Sequence, residues 1–315
     1  MTRYEHSPAE GASSEVLRQP LEEYIASVGE LVSRELKATL PAGWEVPLNL
    51  REAMSYSLMA GGKRLRPLFV VAACEALGGR REAALPVAAA IEMVHTYSLI
   101  HDDLPAMDND DYRRGQLTNH KVYGEATAIL AGDALLTHAF YSVVQAARRY
   151  GIPADSVLSV VEDLAEMAGP RGMVGGQVAD MEGEQGLTDL EQLRYIHLHK
   201  TSDLFVFSLL AGGRIAGATE KQLEALREFG SQIGLAFQVQ DDILDLVGDE
   251  SKLGKKTGSD LKQQKVTYPY FIGLEASRTE VERLTAAAQK AIREGGFPDS
   301  TRLLEIAAYL MSRDH

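Results

Sequence analysis

Apolar positions recur along most of the chain at helical rather than alternating spacing. Leu17, Leu21, Tyr24, Ile25, Val28 and Leu31 follow a period near 3.6 and predict a first amphipathic helix. A second is expected over 48–60, stopped by the breaker pair Gly61-Gly62. Pro67 suits the first turn of a third helix over 67–77. That helix and the next, over 82–104, are apolar nearly all round, as helices enclosed in a large core are. Helices follow over 124–150 and 154–168, and a Gly-flanked one carries Gln177 and Asp180. Capping-box pairs Thr188/Glu191, Thr219/Gln222 and Ser277/Glu280 predict three more starts, with helices over 189–213, 220–247 and 279–294, and a last one over 301–312. No composition shift marks a linker. The expectation is one all-α domain over residues 1–315, with a polar, mobile segment at 1–14.

The 315 residues are 45% hydrophobic and 24% charged, ordinary for a globular chain with a substantial core. No apolar run reads as a bilayer span, and the first residues lack a signal-peptide segment. The single cysteine, Cys74, excludes an internal disulfide, fits a reducing cytoplasm and sits in an apolar run as a small core residue. A formal charge of −13 disfavours nucleic acid and stable membrane insertion, so any anionic ligand must be met by local cations or metals.

The densest chemistry is His101-Asp102-Asp103-Leu104-Pro105-Ala106-Met107-Asp108-Asn109-Asp110-Asp111, followed by Tyr112-Arg113-Arg114-Gly115. Carboxylates this close repel one another unless cations intervene. Hard ions such as Mg²⁺ use one or two carboxylates and complete their shell with ligand phosphates. The alternative for this stretch read alone is a solvated acidic loop. Pro105 must end or redirect the helix that brings His95 and Asp102, two turns apart, onto one face. A second acidic motif, Gln238-Val239-Gln240-Asp241-Asp242-Ile243-Leu244-Asp245, puts Gly234, Gln238, Asp241 and Asp245 on one face of its helix. Other metal and phosphate patterns fail: an EF-hand starting at Asp108 lacks its glycine at Arg113, and Gly254-Lys255-Lys256 lacks the hydroxyl of a phosphate loop. Basic groups at Lys63/Arg64/Arg66, Arg113/Arg114, Lys200 and Lys255/Lys256 with Lys262/Lys265 frame the two acidic motifs as an ionic clamp on diphosphate would.

Taken in order, Gly61-Gly62-Lys63-Arg64-Leu65-Arg66-Pro67, the Asp102–Asp108 motif with Arg113-Arg114-Gly115, Gly176-Gln177, Lys200-Thr201, Phe237–Asp245 and Gly254-Lys255 resemble the trans-isoprenyl diphosphate synthases, in particular the bacterial farnesyl diphosphate synthases. The resemblance implies an all-α isoprenoid-synthase-type helical barrel around a deep cavity, usually a homodimer. It implies head-to-tail condensation of isopentenyl diphosphate with an allylic diphosphate such as dimethylallyl or geranyl diphosphate. Asp102, Asp108 and Asp241 would hold three Mg²⁺ ions (or Mn²⁺), supported by Asp103, Asp242 and Asp245. Arg113, Lys200 and Lys255 would hold the allylic diphosphate, with Thr201 and Gln238 facing the developing cation. Lys63, Arg66, His95 and Arg114 would hold isopentenyl diphosphate. An aromatic at Tyr97, about 7.5 Å below Asp102 along the helix, goes in the family with a short pocket and a C15 product, so Tyr97 and its neighbour Ser98 are the expected chain-length residues. A C20 product is the runner-up. Gln116-Leu117 departs from the lysine-proline many relatives carry there. A terpene cyclase would not need the isopentenyl clamp, and a silent partner subunit would lack some of these aspartates.

Overall fold

The computed structural model describes residues 19–41, 43–183, 189–247 and 267–312. The 1–14 segment, Thr188 and the lysines at 255, 256, 262 and 265 lie outside the described residues.

Helix α1 (Leu21–Ala38) buries Tyr24, Val28, Val32 and Leu36, a strict i, i+4 row that seats one stripe on the core. Helices α2 (Leu48–Leu58) and α3 (Leu65–Ala76) flank the Gly61-Gly62 turn. α3 starts two residues earlier than Pro67 suggested, so the proline occupies its first turn, where a missing N–H costs nothing. α4 (Arg81–Asp102) is buried almost all round from Ala83 to Val94. It ends at Asp102, before Leu104, the residue that Pro105 biases away from helix.

A two-residue antiparallel ladder follows, β1 (Tyr112–Arg113) against β2 (Gln116–Leu117), with Tyr112 opposite Leu117. The helical pattern did not foresee it. Its turn residues, Arg114 and Gly115, both have positive φ (53° and 76°), as a two-residue hairpin turn of the primed type requires. Helices α5 (Asn119–Tyr123), α6 (Glu125–Tyr150), α7 (Ala154–Ala168) and α8 (Met173–Gly183) come next.

The expected helix over 189–213 is interrupted: α9 (Leu190–Ile196) and α10 (Asp203–Ile215) are joined by a π-helical turn, His197–Ser202. α11 (Glu220–Val247) spans about 42 Å at 1.5 Å per residue. α12 (Tyr268–Ile272), α13 (Leu274–Glu294) and α14 (Thr301–Met311) complete the described chain.

Of the capping pairs, Thr219/Gln222 forms, with the Thr219 amide donating to Gln222 Oε1 at 2.9 Å. The box at the start of α9 is instead Asp189/Gln192. Ser277 is one turn inside α13 and donates to the Gly273 carbonyl, because the helix begins at the positive-φ Gly273 rather than at Ser277.

α4 packs most extensively on α6 and also on α3, while α10 lies against α3, α7 and α11, and α11 against α13. The larger core runs through α1–α4, α6, α7, α10 and α11 and takes in Ala288 and Ile292 of α13 and Leu303, Ile306 and Leu310 of α14; a smaller one gathers Leu235, Val239, Ile243, Tyr268 and Leu284 around the far end of α11. Contrary to the reading of the apolar runs, α4 and α6 are long and apolar enough to cross a membrane by length and composition. The apolar stretch of α4 is 83% buried against other helices.

Candidate active site

A cavity of about 440 Å³ opens along the C-terminal half of α4. α4 lines it with His95, Tyr97, Ser98 and Asp102; the start of α3 adds Arg66, and the π-helical turn adds Lys200 and Thr201. The opposite wall is largely apolar: Met173, Val174, Val178 and Met181 from α8, Met107 and Leu204. Charged groups therefore share one space with a thioether and aliphatic wall.

The Asp108 amide donates to the Asp102 carbonyl at 2.9 Å and the Asn109 amide to the Leu104 carbonyl at 3.1 Å, so the loop folds back on the end of α4. Burial raises the Asp102 carboxyl pKa most strongly; Lys200 and Arg113 oppose this, while Asp108 and Asp180 add to it. Asp103 is buried beneath the hairpin and accepts from Arg113 Nε at 2.6 Å. Its carboxyl is pushed up to about 6, chiefly by burial, against the pull of Arg113. Asp110 and Asp111, which had no assigned role, anchor the hairpin. Asp111 pairs with Lys121 at 2.8 Å, and the Asp110 and Asp111 carbonyls accept from the Thr118 hydroxyl and amide.

The basic groups separate into different tasks. The Arg66 guanidinium lies 5.2 Å over the Phe205 ring; burial pulls its pKa down to about 10, Glu92 partly offsetting this and Arg114 adding to it. Its buried Nε has no hydrogen-bond partner, a donor left over for a ligand. Burial, then Arg66, Arg114, Arg113 and Arg64, hold the His95 imidazole well below its ordinary range, so it is neutral near pH 7. Arg114 turns to the Gly61 carbonyl and lies against Gly62, where a Cβ would meet its guanidinium at 2.8 Å. Its neighbour Arg113 turns the other way, to Asp103. Arg64 leaves the basic frame altogether: it is buried, pairs with Glu92 and donates to the Leu58 carbonyl at 2.6 Å. Lys63 is exposed.

Lys200 Nζ donates to Asp180 on α8 at 2.5 Å. The two segments approach so closely that a Cβ at Gly176 would collide with the Lys200 backbone. Asp180 was the functional candidate the sequence reading left unassigned; its position one turn beyond Gln177, which also lines the cavity, was the available signal. On α11, Gln238 and Asp241 are half-buried, whereas Asp242 and Asp245 are buried. Asp242 is taken up by His197 Nε2 at 3.1 Å and by the Tyr268 amide at 2.9 Å, away from the cavity lining. The cavity thus gathers Arg66, His95, Tyr97, Ser98, Asp102, Lys200 and Thr201, and its lining does not include Lys63, Asp103, Asp108, Arg113, Arg114, Gln238, Asp241 or Asp242.

Among the described residues no three His, Cys, Asp or Glu side chains converge into a metal cage. That is compatible with Mg²⁺, which keeps most of its shell for water and phosphate oxygens and needs only one or two carboxylates. Asp108 lies close enough to Asp102 to raise its pKa, and the two supply an all-oxygen donor pair of the right hardness.

The polyprenyl synthetase family pattern matches residues 47–295. A farnesyl diphosphate synthase of Geobacillus stearothermophilus is 50% identical over 271 residues, covering 86% of this chain and 91% of that one. A geranylgeranyl diphosphate synthase of Cyanophora paradoxa is 47% identical over 295 residues, covering 93% and 96%. Among solved structures, a Helicobacter pylori geranyltransferase complexed with magnesium and isoprenyl diphosphate superposes with a TM-score of 0.78 at 33% identity, covering 93% of this chain and 97% of that one.

Proposed function

The chain belongs to the polyprenyl synthetase family, and we propose that it extends geranyl diphosphate with isopentenyl diphosphate to farnesyl diphosphate, using Mg²⁺. It is an all-α prenyltransferase, and both substrates are diphosphates. The observation that carries the reading is the shared cavity, in which Asp102, Lys200, Arg66 and His95 meet an apolar wall.

In this reading the allylic C–O bond breaks, its electron pair leaves with the diphosphate, and the isopentenyl double bond attacks the allylic carbon. Loss of a proton to the departed diphosphate then sets the new double bond. Asp102 and Asp108, together with Asp241 on α11, would hold Mg²⁺, which would supply Lewis acidity toward the leaving diphosphate. Lys200 and Arg113 exchange their present partners, Asp180 and Asp103, for diphosphate oxygens. Arg66 and Arg114, with neutral His95 as a hydrogen-bonding group, hold isopentenyl diphosphate in place for attack. The apolar side chains of α8 and Leu204 offer the cation no nucleophile of their own. Three metal ions per site and a homodimer belong to the same proposal. The exposed apolar residues Ile129, Leu130, Tyr141 and Val144 on α6 favour a second copy.

Purified protein with Mg²⁺ is expected to convert geranyl and isopentenyl diphosphates to farnesyl diphosphate. Absence of condensation with C5, C10 and C15 allylic primers alike would sink the reading. A C20 main product would select the geranylgeranyl alternative, which relatives of comparable identity keep open.

Tyr97 is 6% exposed, lines the cavity and packs edge-on against His101 at 5.7 Å. Removing its ring deepens the pocket below Asp102. Tyr97→Ala should therefore shift the products toward C20 or longer in reverse-phase analysis, and an unchanged distribution would refute the floor assignment.

A further inference from the structure

Lys200 and Thr201 sit in the π-helical turn His197–Ser202, a geometry seen mostly as single turns inside α-helices, frequently at functional sites. Nothing in the local sequence favours it over a continuous α-helix, so its neighbours must hold it. His197 is buried; its Nε2 bonds Asp242 Oδ2 at 3.1 Å and its ring stacks on Tyr268 at 5.6 Å with an interplanar angle of 15°. A carboxylate only accepts, so this bond places the imidazole proton on Nε2. The same Asp242 oxygen accepts the Tyr268 amide, which joins the turn, α11 and the start of α12 at one atom. At the other end, Ser202 Oγ donates to the His197 carbonyl at 3.1 Å, and the Ser202 side chain fills the space over Gly234, where a Cβ would stand 2.6 Å from it. Between these two anchors the Lys200 backbone rests against Gly176.

We propose that His197 is a positioning residue for prenyl transfer: through Asp242 it fixes the register of the turn that aims Lys200 and Thr201 into the cavity. Relaxation of the turn to a plain α-helix shifts the register by one residue and rotates the following side chains by about 100°. Lys200 would then swing off Asp180 and away from Asp102. The inference rests on the reading above, in which Lys200 and Thr201 face the allylic diphosphate. It also gives Asp242 a task of its own, distinct from that of Asp241.

Two variants separate donation from packing. His197→Phe keeps a flat ring against Tyr268 but cannot donate to Asp242, whereas His197→Gln retains an N–H donor. In the full chain, His197→Phe is expected to raise KM for the allylic diphosphate on the order of tenfold. KM for isopentenyl diphosphate should stay within about twofold, because that clamp is on α3, α4 and the hairpin. His197→Gln should restore most of the loss. Equal movement of both KM values, no movement of the allylic one, or no rescue by glutamine would overturn the proposal.

Amide exchange of the wild-type protein gives a test that survives misfolding of a variant. Amides of 197–202 should be protected like those of α10, and fast exchange there would show that the register is not held. Wild-type protein that condenses no primer would instead overturn the functional reading. The exchange measurement, together with binding of inorganic diphosphate in Mg²⁺, would still judge the positioning.

Discussion

Asp102→Ala is expected to lower turnover by about 10²–10³-fold, the scale on which removal of one preorganised charge-stabilising group acts. Asp102 ends α4, lines the cavity and lies close enough to Asp108 for that carboxylate to disfavour its charge. Burial raises its pKa against the pull of Lys200 and Arg113, so the carboxylate is a net unfavourable group in the ligand-free protein. The alanine variant should therefore fold with a thermal midpoint no lower than the wild type. Steady-state assay with geranyl and isopentenyl diphosphates at saturating Mg²⁺, beside a circular-dichroism melt, checks both halves. Turnover within a few-fold of wild type would remove Asp102 from the mechanism; a collapsed melt would make it a structural residue.

Glu92→Ala should act the opposite way, through stability. Arg64 and Glu92 form an ion pair with side chains only 7% and 3% exposed, and Arg64 holds it from a left-handed backbone conformation, φ 49°. Removing one partner strands a buried guanidinium, which costs about 3–5 kcal/mol. Denaturant unfolding should show a loss of that order, with catalytic constants of the remaining folded protein little changed. A loss below about 1 kcal/mol would mean that water reaches Arg64 when its partner is gone. Replacing both partners by leucine should recover much of the loss, because no buried charge is then left alone.

Where a helix seats one stripe on the core, its periodicity was legible. Tyr24 and Val28, two of the positions read in the first helix, are buried in α1, and α6, α7 and α11 lie within a residue of the expected limits. The π-helical turn was not, since its residues have unremarkable helix propensity and its register comes from Asp242, Gly234 and Gly176 on other elements. The hairpin was hidden for a related reason: two ladder pairs leave no alternation to read, and Arg114 adopts positive φ without being glycine or asparagine.

Within the site, residue types announced the chemistry but not the partners. Arg64 and Arg66 look equivalent in sequence, yet one turns to Glu92 and the other over Phe205. Asp241 and Asp242 look like a pair, yet Asp242 is spent on His197 and Tyr268. Long-range packing decides such choices, and a linear pattern carries little of it.

The burial of α4 bears on how the chain is made. As α4 leaves the ribosome it is an apolar rod of membrane-spanning length. Its main cover, α6, is complete only at Tyr150, and α10 only at Ile215. At about 5–20 residues per second, α4 waits several seconds for that cover. Newly synthesised chains stalled in this interval are the form of the protein most exposed to aggregation and to capture by chaperones.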